Sequence, residues 1–508
     1  MKKALSLILC VLLASCTLLT SCSEKVSDET TADTTSNAAS PASESETETE
    51  TEAETEEPDP FEGVDYGGKS FTVYTSVDTN DATNGDRFIR GTGEYTGEAI
   101  NDAVHERNLL VQDKLGITLN FVEAPYDMNS AATQIKLQIQ SGDSEWQLAA
   151  NDIRAFANIS SSGFLANVYN NKILDLEKSY WYSDAMNDLM FIEGGMYLLV
   201  GDYFTDALAS CHTLYVNEDM LNDVYNDGEL INNLVFDGKW TIDEMTRIVG
   251  EMYTDSDGDG KVSANDTFGY SCVGMWGSCI PTLIGLDINF VERTADTVDF
   301  AFNNEHSVAA LDKLHSLYYS NGTYTSHGDI PSLRTAFANA QTLIMGYSRL
   351  GDFENLREIE FSMGVIPYPK FDENQENYST SLHDTSEIGA IPSTIVGDEL
   401  DFVLTCLEVF SRETSKSVMP TFYDDGLKVK YADGLDDAKM IDLIHDSICS
   451  PFAVAYDSTL GNFMLRSVFL DPLAADNINF TSNYNKFYKV SKKMLDKTLD
   501  SFKSNLEQ

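Results

Sequence analysis

The apolar positions between residues 71 and 152 change period in a regular order. Phe71 to Ser76 reads as a strand. Residues 98 to 115 read as a helix, with Ile100, Ala103, Val104, Leu110 and Val111 at helical spacing. Ile117 to Val122 is a second strand. Residues 130 to 140 form a second helix around Ile135, Leu137 and Ile139, and Leu148 to Asp152 is a short third strand. A βαβαβ start predicts a parallel sheet with helices on its faces. Ligands of such sheets bind beyond the C-terminal strand ends, which places the polar loop Asp78 to Asp86 and the pair Asn151-Asp152 on a binding edge. Further on, the apolar run Met196 to Val200 ends just before Asp202-Tyr203-Phe204. The run Leu343-Ile344-Met345-Gly346 ends before Tyr347, and Trp276 sits in the Gly-flanked stretch Gly274 to Gly277, read as a loop.

The first 22 residues follow a different pattern. Lys2 and Lys3 precede the apolar run Ala4 to Leu13, which has the make-up of a secretory signal and is too short to be a stop-transfer helix. Leu19-Thr20-Ser21-Cys22 resembles the lipobox of bacterial lipoproteins, in which the Cys sulfur is diacylated and the chain is cut before it. Leu13-Ala14-Ser15-Cys16 fits the same pattern. Cys22 is preferred because it leaves a longer apolar run and a polar stretch starts right after it. Residues 23 to 60 carry 13 acids, one Lys and no aromatic residue. Such a segment cannot bury enough apolar surface to fold, and its like charges keep it extended. It reads as a disordered acidic Ser/Thr tether behind a membrane-anchored lipid, on the extracellular face of the cell membrane.

The chain of 508 residues has a formal charge of −49, with 82 acidic against 33 basic side chains. That charge repels nucleic acid and anionic lipid headgroups, and both are set aside as partners. Five cysteines follow the signal region: Cys211, Cys272, Cys279, Cys406 and Cys449. None has CxxC spacing. A Cys272–Cys279 disulfide and small buried thiols are the two readings.

Two stretches resemble known motifs. Gly63-Val64-Asp65-Tyr66-Gly67-Gly68-Lys69-Ser70 matches GxxxxGK[ST], yet an acidic tether precedes it and a strand follows. The strand–loop–helix order that brings a helix N-terminus to a phosphate is missing, so nucleotide binding is rejected. Asp255 to Asp266 matches an EF-hand loop, with acids at positions 1, 3, 5 and 12 (Asp255, Asp257, Asp259, Asp266) and Gly260 at the sharp turn. Lys261 would give its carbonyl, and Ser263 would ligate directly or through water. Asp266 replaces the usual Glu. Only one flank, Thr241 to Tyr253, reads as helical, so the expectation is a structural Ca2+ ion.

Four further segments carry a family resemblance: Gly97 to Val104 leading into His105-Glu106-Arg107-Asn108; Leu214-Tyr215-Val216-Asn217-Glu218-Asp219-Met220-Leu221; Asp237-Gly238-Lys239-Trp240-Thr241-Ile242-Asp243-Glu244; and Gly364-Val365-Ile366-Pro367-Tyr368-Pro369-Lys370 with Gln375 and Tyr378. In this order the chain resembles the extracellular solute-binding lipoproteins of carbohydrate-type ABC importers, over most of residues 61 to 500. The resemblance implies an α/β fold of the two-lobe type II periplasmic-binding class. Residues 61–207 and 386–420 would form one lobe, and 208–385 and 421–508 the other. Crossings are expected near Ala207 to Leu214 and Glu387 to Thr394.

The same resemblance implies a monomer that closes on a sugar and docks on a membrane permease, with no covalent chemistry. Sugar sites set aromatic faces against pyranose C–H faces and place amides and carboxylates on the hydroxyls. The candidates are Trp276, Tyr347, Asp202, Tyr203, Asn151 and Asp152, while Trp146, Trp181 and Trp240 read as packing residues. The family often places a stacking aromatic where Tyr347 stands. Competing readings are a surface glycan hydrolase, whose carboxylate pair spacing alone does not exclude, and an adhesion or sensing lipoprotein.

Overall fold

A computed structural model describes residues 59–75, 90–124, 128–142, 145–427 and 435–507. Cys22, the tether up to residue 58 and the loop Asp78 to Asp86 lie outside the described residues. Strand β1 (Lys69–Thr75) is followed by helix α1 (Ala99–Leu115), β2 (Ile117–Glu123), α2 (Met128–Ser141), β3 (Leu148–Asp152) and α3 (Ile153–Ser160). β1 pairs in parallel with β2, Lys69 opposite Ile117, and with β3, Val73 opposite Leu148.

Helix α1 starts where the Glu98 carboxylate accepts the N–H groups of Ile100 and Asn101. It stops at Gly116, whose φ of 59° suits a residue without a Cβ. Its buried stripe is Ile100, Val104, Val111 and Leu115. Leu110, expected in that stripe, is exposed, and so is Leu137 on α2. Arg107 takes an inner place instead, donating to the Tyr203 carbonyl at 3.0 Å and stacking over Phe410.

Asp59, at the end of the acidic stretch, is folded in by ion pairs to Lys114 at 2.7 Å and Arg412 at 2.8 Å. Burial alone would raise its carboxyl, but these two cations hold it well below the usual range.

Helix α4 (Ser183–Leu189) hangs on the same lobe: the Tyr182 N–H donates to the Val200 carbonyl. The run Met196 to Val200, expected as a strand, makes only an isolated bridge, Leu199 opposite Gly389. The second lobe opens with β4 (His212–Asn217). It continues through α5 (Ile242–Glu251), β5 (Phe268–Ser271), α6 (Met275–Gly285), the hairpin β6 (Val291–Arg293) and β7 (Val298–Phe300), α7 (Glu305–Tyr318), β8 (Thr323–Tyr324), β9 (Thr342–Arg349) and β10 (Met363–Ile366). Its sheet runs β10-β4-β9-β5-β8, with β5 parallel to β8 and β9, and β4 antiparallel to β9 and β10. Trp240 is fully buried at the start of α5 and donates to the Pro367 carbonyl, as its packing role anticipates.

The chain returns through β11 (Thr380–Ser381) to β12 (Glu387–Ala390), which lies antiparallel on β3 and completes the first sheet as β12-β3-β1-β2. At the first crossing, Cys211 bridges Leu382. The second lies at 382–386, because Glu387 to Ala390 already belong to the first sheet. Helix α8 (Asp398–Glu413) packs on that sheet through Phe402 against Phe71.

The remainder, expected wholly in the second lobe, is divided. After β13 (Ile448–Cys449), paired with β11, helix α9 (Phe452–Tyr456) packs on Phe191. The long helix α10 (Phe480–Leu506) sets Tyr484 on Phe302 of the second lobe and stacks Phe502 on Phe191 of the first, at 4.7 Å. A hydrophobic contact of this kind has no signature in the helix's own periodicity. Cys211, Cys272, Cys279, Cys406 and Cys449 are free thiols, and the first four are buried, so the disulfide reading falls. Among the described residues, no helix is long and apolar enough to cross a membrane.

Candidate functional site

The C-terminal ends of β3 and β9 meet the two crossings: Asp152 lies opposite Glu387, and Arg349 opposite His212. On the first-lobe side, Asp152 ends β3 and caps α3, accepting the Arg154 N–H at 2.7 Å. Arg154 returns its guanidinium to Asp152 at 2.9 Å and reaches Asp384 of the second crossing at 2.7 Å. The result is a carboxylate–guanidinium–carboxylate row from one lobe to the crossing. Burial pushes the Asp152 carboxyl up, and Arg154 opposes it. Asn151, the other candidate here, is fully buried in the sheet opposite Ile388.

On the second-lobe side, Tyr347 has φ 57°, a left-handed conformation that is uncommon for a non-glycine residue. The β4–β9 register explains it. Tyr215 pairs with Met345 and Thr213 with Ser348, so Gly346 and Tyr347 together oppose Leu214 as a bulge. Gly346 is required there, since a Cβ would lie 2.3 Å from the Tyr270 hydroxyl. The bulge turns the half-buried Tyr347 ring onto the first turn of α6. A Cβ on Gly277 would lie 2.0 Å from that ring, so glycine is what lets the ring rest on the helix. The stretch Gly274 to Gly277, expected as a loop, is the start of that helix, with Gly274 at φ 71°. Trp276 therefore stands in the turn that carries Tyr347; its side chain lies outside the described part of the structure.

Polar groups line the floor between these two stations. The His212 ring lies 5.0 Å from His383 and 6.5 Å from Tyr347, centroid to centroid. Its Nδ1 is buried without a partner, and burial, then the neighbouring His383, push its pKa well below the ordinary imidazole value. His327, in the segment that follows β8, is also held low by burial, and its Nε2 has no partner. Sequence reasoning missed Arg154, His212, His383 and Asp384. Arg154 was within reach of it, two residues beyond an Asp at a strand-to-helix turn.

Asp202 and Tyr203 do not join this group. Without a strand to end, they turn inward. The Tyr203 hydroxyl donates to the Leu199 carbonyl at 2.7 Å, and the ring is 1% exposed. Asp202 accepts the Tyr182 hydroxyl at 2.7 Å and lies 3.9 Å from His445, at a cavity of about 270 Å³ shared with Tyr423 and Asp442.

In the acidic loop, carboxylate oxygens of Asp255, Asp257 and Asp259 lie within 4.8 Å of one another. Oxygens on opposite sides of a calcium ion sit about 4.6–5.2 Å apart, twice the Ca–O distance, so this spread fits. Asp255 accepts the N–H groups of Gly258 and Gly260. Asp266 is buried and accepts those of Ser256 and Ser263, which closes the loop around the three acids. Lys261 directs its amine back toward Asp259.

No protein-family model and no curated protein matches the chain. Solved structures do. An uncharacterized protein from Listeria monocytogenes is similar with TM-score 0.57 and 10% identity, over 84% of this chain and 100% of that one. The maltose-maltodextrin binding protein of Alicyclobacillus acidocaldarius is similar with TM-score 0.50 and 10% identity, over 84% and 100%. The chain has the two-lobed type II periplasmic-binding fold. A cyclo/maltodextrin-binding protein complexed with maltotetraose has the same fold, with TM-score 0.51 and 10% identity over 87% of this chain and 97% of that one. In the two-lobed fold of this chain, the Tyr347 bulge near the end of β9 and the Asp152–Arg154–Asp384 row at the end of β3 both stand beside the crossings.

Proposed function

We propose that this protein is an extracellular solute-binding lipoprotein that captures a carbohydrate, an oligosaccharide by preference, between its lobes and delivers it to an ABC permease. The observation that carries the reading is Tyr347. A bulge, a left-handed residue and two glycines are all spent on turning one aromatic ring out of the sheet onto a helix start. Strained backbone of this kind persists where the surrounding structure holds it for a task. The ring offers an apolar face, while the Arg154 guanidinium offers donors and the Asp152 and Asp384 carboxylates beside it offer acceptors for vicinal hydroxyls. The proteins of similar fold that are named for maltodextrins support the choice of ligand class.

A thermal-shift screen against a glycan panel that includes maltotetraose tests this. Ligand at 100 times its dissociation constant adds about 2.7 kcal/mol of stability. Stabilisation by peptides and by no glycan would overturn the reading.

Anchoring through Cys22 belongs to the same proposal: Cys22→Ala should release the protein into the medium, and retention in membranes would refute it. So does a structural Ca2+ held by Asp255, Asp257 and Asp259, with the Lys261 carbonyl and Asp266 completing the loop. Chelation should lower the melting temperature, and Asp257→Ala should remove that response. A melting temperature indifferent to chelator would dismiss the ion.

A further inference from the structure

Away from the cleft, the lobes are joined by a second, less obvious contact. The helix α4 of the first lobe ends at Leu189; the Met190 N–H caps its Asn187 carbonyl, and the last-turn carbonyls have room for further donors. Arg293, at the end of β6 in the second lobe, supplies one. Its Nη1 donates to the carbonyls of Asn187 at 2.8 Å and Asp188 at 3.1 Å, and also to that of Met190. A cation at a helix C-terminus also meets the negative end of the backbone dipoles. The same guanidinium lies 6.0 Å from the Phe452 ring centroid, on the helix that packs against Phe191.

The hairpin carrying Arg293 is firmly mounted. Asp299 on its other strand pairs with Lys492 of α10 at 2.9 Å, and Phe300 packs on Phe463 at 4.9 Å. On the Asn187–Asp188 side of this contact the lobes are parted. A cavity of about 800 Å³ separates Asp184, Asn187 and Asp188 of the first lobe from Val235, Phe236 and Asp287 of the second.

We propose that Arg293 is the pin about which the lobes turn: a guanidinium from the second lobe whose Nη1 grips the carbonyl end of α4 and fixes the pivot while the gap beside it leaves room for motion. One guanidinium nitrogen, Nη1, meets all three converging carbonyls, and the planar group holds that nitrogen more rigidly than a flexible lysine stem would. Arg293 touches no ligand. It is a positioning residue that acts through the relation of one lobe to the other. The proposal takes the lobe closure of the preceding section as given, but it is measured without sugar, so the two can fail separately.

The test is the inter-lobe distance distribution of the full chain in the absence of ligand, read by electron spin resonance between labels at Gln140→Cys on α2 and Asp223→Cys in the second lobe. Both positions are exposed, and the five native thiols of the folded region are buried or half-buried. Arg293→Gln should widen the distribution and lengthen its mean by about 2 Å or more, the scale on which domain rearrangements register. Arg293→Lys, which keeps the charge on a more flexible stem without the planar group, should fall between. Any glycan found to bind should lose about tenfold in affinity with Arg293→Gln, because the closure-competent population falls. A folded Arg293→Gln protein with the wild-type distribution overturns the proposal. Should that variant not fold, Lys492→Gln loosens the mount of the same hairpin from a partly exposed site. It must widen the distribution, and an unchanged width there overturns the proposal equally.

Discussion

Tyr203 and Tyr347 begin as the same sequence signal, a tyrosine just beyond an apolar run, and end in opposite environments. Tyr203 follows a run that makes a single bridge, so the chain folds back and buries the ring under its own Leu199 carbonyl. Tyr347 follows a run paired on both sides in a sheet. There an extra residue cannot be absorbed, and the bulge pushes the ring outward. Pairing on both edges, rather than the residue type or its neighbours in sequence, separates a half-buried ring from a fully buried one here.

The largest expected effect that would break this contrast is on stability. Tyr203→Ala should cost about 3–5 kcal/mol, the range for truncating a buried aromatic. Tyr347→Ala should cost about 1 kcal/mol or less, yet weaken glycan binding tenfold or more. Calorimetric affinity and denaturant unfolding on both variants decide it. A large stability loss in Tyr347→Ala with intact binding would put Tyr347 back among the core residues.

Gly277→Ala sharpens the same point from beneath the ring. Alanine favours a helix by about 0.5–1 kcal/mol over glycine, but its methyl would occupy the ring's place. Binding should fall with little loss of melting temperature; unchanged affinity would mean that the ring's seat on α6 is irrelevant.

The smallest effect concerns two histidines, one in each environment. His212, near Tyr347, has its folded pKa depressed by burial and by His383. The unfolded chain therefore binds more protons below the ordinary imidazole value, 6.5, and stability is lost as pH falls through that region. Around His212 stand His383 and Asp384 from the second crossing and Arg349 from β9. His445, beside Asp202, shows the opposite sign: burial would lower it, but Asp202 and Asp446 raise it. Its contribution is present below 6.5 and lost as pH rises through its raised folded value. Melting curves across pH should thus flatten on the acid side in His212→Gln and on the neutral-to-alkaline side in His445→Gln. Identical profiles for the two variants would contradict the assignment.

Local pattern was enough to read much of this molecule. The βαβαβ start is present with strand ends shifted by a residue or so, because the 2.0 and 3.6 periods are written into the apolar positions themselves. The strand that follows Gly63 to Ser70 is formed as β1, as the rejection of a phosphate loop required. The convergence of Asp255, Asp257 and Asp259 follows from spacing within one short loop. Tyr347 and Asp152 were singled out by the same signal, an apolar run that ends; Asp152 is the last residue of β3, and Tyr347 lies inside β9, at its bulge.

What the sequence could not supply is whatever depends on residues far apart in the chain. Arg154 meets Asp384 across 230 positions, His212 meets His383, and Arg293 meets carbonyls about 100 residues earlier. The division of the C-terminal segment between the lobes rests in the same way on Phe502 finding Phe191. Periodicity reports which face of an element is apolar and is silent on which partner covers it. That choice is made by loop closure, sheet register and the bulge at Gly346-Tyr347. For this reason the sequence alone carried the βαβαβ start and the calcium-type loop, while the tertiary structure alone decided that Asp202 and Tyr203 are buried and that the Tyr347 ring rests on the start of α6.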